Sequence, residues 1–330
     1  MSVRRSSSAA TGSAVSHPRQ TIVVDDQHAG RRLDKFLRSR LKGVPAGLLF
    51  QQLRRGKLRV NGRRAEQSYR LVEGDEIEIP PLTAGARATR MTRPPSATVE
   101  ALRRAVLYED PDVLVVDKPA GLAVHRGTDV PFGVIETLRY LRPDLPELEL
   151  GHRIDRDTSG VLVLAKAPSM LRHLHEMLRD REEDIERHYL AVVVGSWPSD
   201  RTVLRAPLLR RDAEVVVHPD GQRAETHVKV RRRVGTRATL VSVRLLTGRK
   251  HQIRVHLQEA GHPIVGDVRY GDPRVNAALA ARGATGLHLH AESLRIPLPD
   301  GDELVVSAPV PAVWERLLGG LVRRAGSRLA

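Results

Sequence analysis

The 330-residue chain contains no cysteine, which excludes disulfides, thiol nucleophiles, Cys-ligated zinc and iron–sulfur clusters. Covalent chemistry must run through oxygen or nitrogen, and a reducing compartment fits. Aromatics are scarce, at 3%, so a Tyr inside a polar motif is more informative than usual. No apolar run approaches eighteen residues and the start lacks a charged-then-apolar leader pattern, so a soluble cytoplasmic protein with no membrane partner is expected. No Gly-rich phosphate loop occurs, leaving nucleotide hydrolysis and dinucleotide binding without support. Acidic residues are in deficit: 54 Lys and Arg stand against 39 Asp and Glu, a formal net charge of +15. A polyanion, nucleic acid first, is the expected partner. Lysine is itself rare. Only seven of the 54 cations are Lys, and the rest are Arg, the planar bidentate phosphate binder.

With 41% hydrophobic residues the chain can bury a sizeable core, and its length suggests two globular units. Residues 1–20 are rich in Ser, Ala and Arg without apolar periodicity and read as a disordered basic tail. Over 21–80, Leu33, Phe36, Leu37 and Leu41 fall at helical spacing, and a second helix opens at Pro45 with Leu48, Leu49 and Leu53 on one face. Gly56 ends it, and Asn61-Gly62 marks a tight hairpin before a run into Leu71–Ile79. Residues 81–99 carry Pro-Pro and no period, and read as a linker. The remainder, 100–330, alternates strands and helices too irregularly for a doubly wound repeat. It reads as α+β, with strands near 113–117, 161–165, 189–194, 226–231, 239–246 and 287–296, and helices near 169–179, 251–259 and 313–322.

The small module is densely cationic: Arg31, Arg32, Lys35, Arg38, Arg40 and Lys42, then Arg54, Arg55, Lys57 and Arg59, then Arg63 and Arg64. If its apolar stripe faces the core, the opposite face suits phosphates; the plain alternative is a solvated helix face. RRLDKFLRSRL (31–41), LLFQQLRRGKLRVNGRR (48–64) and VEGDEIEIP (72–80) resemble the RNA-binding module of the ribosomal-protein-S-four type. That resemblance implies RNA contact through Arg32, Lys35, Arg54, Arg55 and Lys57.

GHRIDRDTSGVLVLAK (151–166) sets His152, Arg153, Asp155, Arg156, Asp157, Thr158 and Ser159 directly before a buried-looking strand. An Asp beside cations stays ionised and can act as nucleophile or general base, or it can simply close a turn. LLTGRKHQIRVHLQEAGHPIVGD (245–267) gathers Arg249, His251, Gln252, Arg254 and His256 at a strand-to-helix transition. His251 and Arg254, three apart, share a helix face toward the same cleft. Zinc on His251, His256 and His262 is disfavoured, because Lys250 and Arg254 would repel a dication.

Six segments in order, DVLVVDKPAGLAVH (112–125), GHRIDRDTSGVLVLAK, RHYLAVVVG (187–195), LLTGRKHQIRVHL (245–257), GHPIVGDVRYG (261–271) and LHLHAESLRI (287–296), resemble the RluA family of pseudouridine synthases. Ile154 replaces the family's usual Leu. The resemblance implies a catalytic domain on a mixed, mostly antiparallel sheet that isomerises uridines, here of large-subunit ribosomal RNA, as a monomer without cofactor or metal. It places the catalytic carboxylate at Asp155, its cationic partner at Arg254, and the aromatic that stacks on the target base at Tyr189. His152, Arg153, Arg249 and His251 are implied to organise the loop or touch RNA, and Leu289 to pack under the base. Lys118 and His125 are implied to be structural. Three alternatives stand: the same reaction on transfer RNA or another ribosomal site, a non-catalytic rRNA-binding assembly factor, and a metal-dependent nuclease weakened by the absence of an acidic cluster.

Overall fold

Leu33, Phe36, Leu37 and Leu41, spaced for one helix face, are all 1% exposed or less in the computed structural model, which describes residues 15–41, 44–84, 93–127, 131–212, 214–281, 283–314 and 318. The first three lie in helix α1 (Leu33–Arg40), and Leu49 and Leu53 of α2 (Ala46–Arg54) join them in one core. Strands β1 (Val15–His17), β2 (Gln20–Val23), β3 (Arg59–Val60), β4 (Arg63–Arg64), β5 (Glu76–Ile79) and β6 (Leu82–Ala84) complete a unit that spans residues 1–93. Four of them form a sheet in the order β2-β5-β3-β4, and β1 pairs with β6. Asn61 and Gly62 turn the β3–β4 hairpin with φ of 50° and 70°, both positive as a two-residue hairpin turn requires.

Two expectations need correction at their edges. The basic tail does not run to residue 20: Val15–His17 pairs with Leu82–Ala84, and β2 begins at Gln20. Residues 1–14 lie outside the described residues. The linker also loses its ends, because Leu82–Ala84 is β6 and Ser96–Arg103 forms helix α3; residues 85–92 lie outside the described ones.

The second unit, residues 94–330, is built on a ten-stranded sheet. Its strands are β7 (Val106–Glu109), β8 (Val113–Lys118), β9 (Glu149–Leu150), β10 (Ser159–Ala165), β11 (Glu186–Val194), β12 (Val203–Arg205), β15 (Glu225–Val234), β16 (Ala238–Leu245), β17 (Leu289–Pro297) and β18 (Glu303–Ser307). The main path runs β12-β15-β16-β11-β17-β10-β8-β7, with β18 on β17 and β9 on β10. One pair, β10 with β17, is parallel, and the others are antiparallel. Strands β13 (Leu208–Arg211) and β14 (Glu214–Val217) form a separate hairpin. Helices α4 (Val134–Leu141), α5 (Pro168–Asp180), α6 (Gln252–Glu259) and α7 (Pro273–Ala280) complete the unit.

Strand β10 shows why its sequence is continuously apolar. Val161, Val163 and Ala165 join a core with Met170, Leu174 and Met177 of α5, while Leu162 and Leu164 join another with Ile135 and Leu138 of α4. Both faces of the strand are covered, so the period-2 alternation of polarity disappears. Gly160 (φ 107°) is required where β10 meets β17, because a Cβ there would lie 2.2 Å from the Ala291 carbonyl oxygen. Among the described residues no helix is long and apolar enough to cross a membrane.

Candidate active site

The loop at 151–158 is pinned at several points. Its Gly151 N–H donates to the Val163 carbonyl at 2.9 Å, and Thr158 N–H to the Asp155 carbonyl at 3.2 Å. Ile154 is buried among the residues between β8, β10 and α4. Fully buried Lys118, at the end of β8, donates to the carbonyls of Pro119, Leu122 and Arg156, each at 2.8 Å. It thus ties its own turn to the backbone next to Asp155, a structural role. Burial pushes its ammonium down to about 7, while Asp157, Asp155 and Asp117 pull the other way. His152 spends Nε2 on accepting the Val163 N–H at 3.0 Å, and burial drives its imidazole down to about 4. Asp157 does not accept from the turn backbone; it takes Arg156 Nε at 3.1 Å.

Asp155 remains partly open, with its side chain 25% exposed, and Arg254 Nη1 donates to its Oδ2 at 3.2 Å. The two residues are 99 positions apart. Arg254 comes from the first turn of α6, whose entry is shaped by buried Gln252: Oε1 accepts from Thr247 Oγ1 and Arg249 N–H, and Nε2 donates to the Glu225 carbonyl and Thr226. The stronger partner of Arg254 is one that the spacing did not single out. Its Nε and Nη2 each donate to a different oxygen of Asp267, both at 2.8 Å, in a fully buried fork. Burial opposes the charge on Arg254, but Asp267 and Asp155 together raise its pKa above the ordinary value. Burial likewise pushes Asp267 up, yet Arg254 and the N–H groups of Tyr270 and Arg269 hold it below the usual carboxylate range. Gly266 (φ 77°) permits this turn, since a Cβ would collide with the Gly286 carbonyl.

His251 immediately precedes α6 in a left-handed conformation, φ 55° and ψ 16°. Its Nδ1 lies 2.7 Å from the Tyr270 hydroxyl, and its Nε2 lies 3.9 Å from Asp155 Oδ1. Burial lowers its pKa to about 4, opposed by Asp155 and reinforced by Arg254, Lys250 and Arg269. His251 thus faces the carboxylate directly.

Asp155, Arg153, His152, His251, Arg254, Tyr189, Arg249 and Leu289 all line one cavity of about 910 Å³. Tyr189, partly buried on β11, sits where the register with β17 shifts, and burial pushes its hydroxyl up. Leu289 is 3% exposed on β17. Arg153 is exposed at the rim. Arg249 is committed elsewhere: Nη2 meets Glu182 at 3.3 Å, and Glu182 also pairs with Arg187. The histidines weighed for zinc do not converge. His256 is held by Thr226 and the Ala206 carbonyl, and His262 by the Val194 carbonyl. In the smaller unit Arg32 pairs with Asp34 at 3.0 Å, and Lys35, Arg54, Arg55 and Lys57 are exposed. Lys118 has the structural role implied for it, whereas Asp267 and Tyr270 are the residues whose place in the site sequence reasoning missed. The only signal for these two was their presence in GHPIVGDVRYG.

Residues 112–259 match the family described as RNA pseudouridylate synthase, and residues 31–77 match the S4 domain. The chain is 45% identical over 305 residues to the ribosomal large subunit pseudouridine synthase C of Escherichia coli K12, covering 90% of this chain and 95% of that protein. It is 41% identical to the protein of the same name from Vibrio parahaemolyticus, covering 92% and 96%. Among solved structures, human RNA pseudouridylate synthase domain containing 4 superimposes with a TM-score of 0.57 at 27% identity, over 68% of this chain and 95% of that one.

Proposed function

The chain belongs to the RNA pseudouridylate synthase family, and from that premise we propose that it converts specific uridines of large-subunit ribosomal RNA to pseudouridine, with Asp155 as the reacting carboxylate. The observation that carries this assignment is Asp155 itself, a partly open carboxylate with Arg254 on one oxygen, in the cavity that Tyr189 also lines. The reaction breaks the N1–C1′ bond, turns the base and joins C5 to C1′; C5 loses a proton and N1 gains one. Oxidation state is unchanged, so the chemistry calls for no redox cofactor. Asp155 either attacks C1′ or removes the C2′ proton, and both routes need it ionised and fixed in direction. Arg254 fixes its direction, and its fork on Asp267 keeps the cation in place when Asp155 gives up its charge. Tyr189 offers a ring for the displaced base, Leu289 an apolar floor, and Arg153 a cation at the rim for the opened strand.

The S4-type module supports the RNA assignment, with Arg32, Lys35, Arg54, Arg55 and Lys57 as its phosphate contacts. In this reading the smaller unit, residues 1–93, grips the ribosomal RNA and the larger unit, residues 94–330, does the chemistry, as a monomer in the cytoplasm. Mapping pseudouridines in the RNA of a deletion strain tests the reading. Discrete large-subunit positions should revert to uridine and return when the gene is restored. Loss confined to transfer RNA would redirect the substrate, and no loss anywhere would remove the activity.

A further inference from the structure

Two groups face the Asp155 carboxylate, Arg254 and His251, and one short segment supports both. Asp267 holds Arg254 through its buried fork. Three residues later Tyr270 meets His251, and its own N–H donates to Asp267 Oδ1 at 3.1 Å. The Arg254 guanidinium also lies over the Tyr270 ring, 5.1 Å from its centroid.

The Tyr270 hydroxyl has a single proton, and its surroundings decide where that proton goes. The Val215 backbone N–H of β14 points at the phenol oxygen from 3.1 Å. An N–H can only donate, so the hydroxyl accepts there and its own proton is free to go to His251 Nδ1, 2.7 Å away. If Nδ1 carried a proton instead, the phenol would accept twice and its O–H would have no partner among the described residues. The Nε2 lone pair would then also face the lone pairs of Asp155 Oδ1. With Nδ1 accepting, the proton of a neutral imidazole sits on Nε2, the nitrogen turned toward Asp155. Burial and the surrounding cations Arg254, Lys250 and Arg269 outweigh Asp155 and keep that imidazole neutral at pH 7. His251 is one of three non-glycine residues at positive φ among the described residues; the others, Asn61 and Asp212, sit in hairpin turns.

We propose that Tyr270 is a positioning residue for the isomerisation: its hydroxyl fixes His251 as the Nε2–H tautomer, so that this N–H serves Asp155 Oδ1 while Arg254 serves Oδ2. The 3.9 Å separation closes to a hydrogen bond when the nucleotide seats, as catalytic contacts commonly tighten on substrate binding. Asp155 then keeps a second directional donor without a second positive charge. The proposal rests on Asp155 being the reacting carboxylate, but the tautomer itself is observable without turnover.

Full-length protein labelled with ¹⁵N-histidine gives the first readout, with the His251 signals assigned from their loss in His251→Gln. Nδ1 should be the unprotonated, hydrogen-bond-accepting nitrogen, and Tyr270→Phe should release that preference. Kinetics on a large-subunit RNA fragment give the second. Tyr270→Phe keeps the ring over Arg254 and should lower kcat by roughly ten- to a hundredfold with KM changed less than about twofold, the scale of one hydrogen bond to a charged group. Glutamine at 251 carries its own N–H donor and needs no tautomer, so in the His251→Gln background Tyr270→Phe should cost less than about twofold. A protonated Nδ1 in the wild type overturns the proposal. So does an unchanged kcat in Tyr270→Phe, or a loss equally large in both backgrounds, which marks a purely structural tyrosine. A wild type that makes no pseudouridine on any RNA overturns the functional reading instead, and the nitrogen spectrum still decides the tautomer.

Discussion

Replacing Asp267 by Asn removes one negative charge from a place where the structure leaves little solvent to compensate. The side chains of Arg254 and Asp267 are 7% and 0% exposed. Breaking a buried pair by removing one partner costs about 3–5 kcal/mol, because the remaining charge is stranded. Asparagine can keep an oxygen where Oδ1 accepts from Arg254 Nη2 and from the N–H groups of Arg269 and Tyr270. At the other position its amide would set a donor against Arg254 Nε, which now has an acceptor at 2.8 Å. The loss should therefore fall near the lower end, about 3 kcal/mol. Urea unfolding followed by tryptophan fluorescence reads this directly, since the only two tryptophans, Trp197 and Trp314, are 1% and 3% exposed and both belong to the larger unit. The pH dependence has a definite sign. Asp267 titrates below its ordinary value of 3.8 in the folded chain, so its stabilisation is complete above that value and is lost as pH falls through the folded pKa. The gap between wild type and Asp267→Asn should be full at pH 7 and should narrow below about pH 4. A gap under about 1 kcal/mol at pH 7 would refute the fork as the anchor of Arg254.

Lys118→Met should leave the carbonyls of Pro119, Leu122 and Arg156 without their donor and lower both stability and turnover. The folded pKa of Lys118, about 7, lies below its ordinary value of 10.5, so the penalty for charging it is full below pH 7 and fades as pH rises toward 10.5. The stability of the wild type relative to the Met variant should therefore rise between those values, and a flat difference in urea midpoints would contradict it. In the smaller unit, reversing Arg54, Arg55 and Lys57 to Glu should weaken binding to large-subunit RNA and reduce the slope of log affinity against log salt by about 2–3, one per lost phosphate contact. An unchanged slope would mean that these exposed cations touch no phosphate.

Elements whose pattern is local were legible. The apolar face of α1, the Asn-Gly turn and the apolar run of β10 each announce themselves within a dozen residues. Helix α7 was missed, although Asp272 caps it through the N–H groups of Arg274 and Val275 and Pro273 opens it, because it buries little beyond Leu279. Pairing of β1 with β6 spans nearly seventy residues and rests on three-residue strands, so no periodicity could reveal it. Within the site, Asp155, Tyr189 and Arg254 stood out through the motifs that contain them, and all three line one cavity. The support behind them was not legible. Whether Asp267 closes a turn or clamps an arginine depends on which side chain folds onto it, and Arg249, implied to organise the loop or touch RNA, pairs with Glu182. His152 reads as a polar loop residue in sequence and becomes an acceptor for a strand amide in three dimensions.

Whether Asp155 carries the chemistry is tested with the least disturbance by Asp155→Asn, because the side chain keeps its shape and loses only its charge and its ability to attack or take a proton. Purified wild-type and variant proteins should be incubated with unmodified large-subunit ribosomal RNA and the pseudouridine counted at each position. Discrete modified positions are expected for the wild type and none above background for the variant, with RNA affinity and tryptophan-monitored unfolding close to wild type. Modification by the variant at a substantial fraction of the wild-type rate would contradict a reacting role for Asp155.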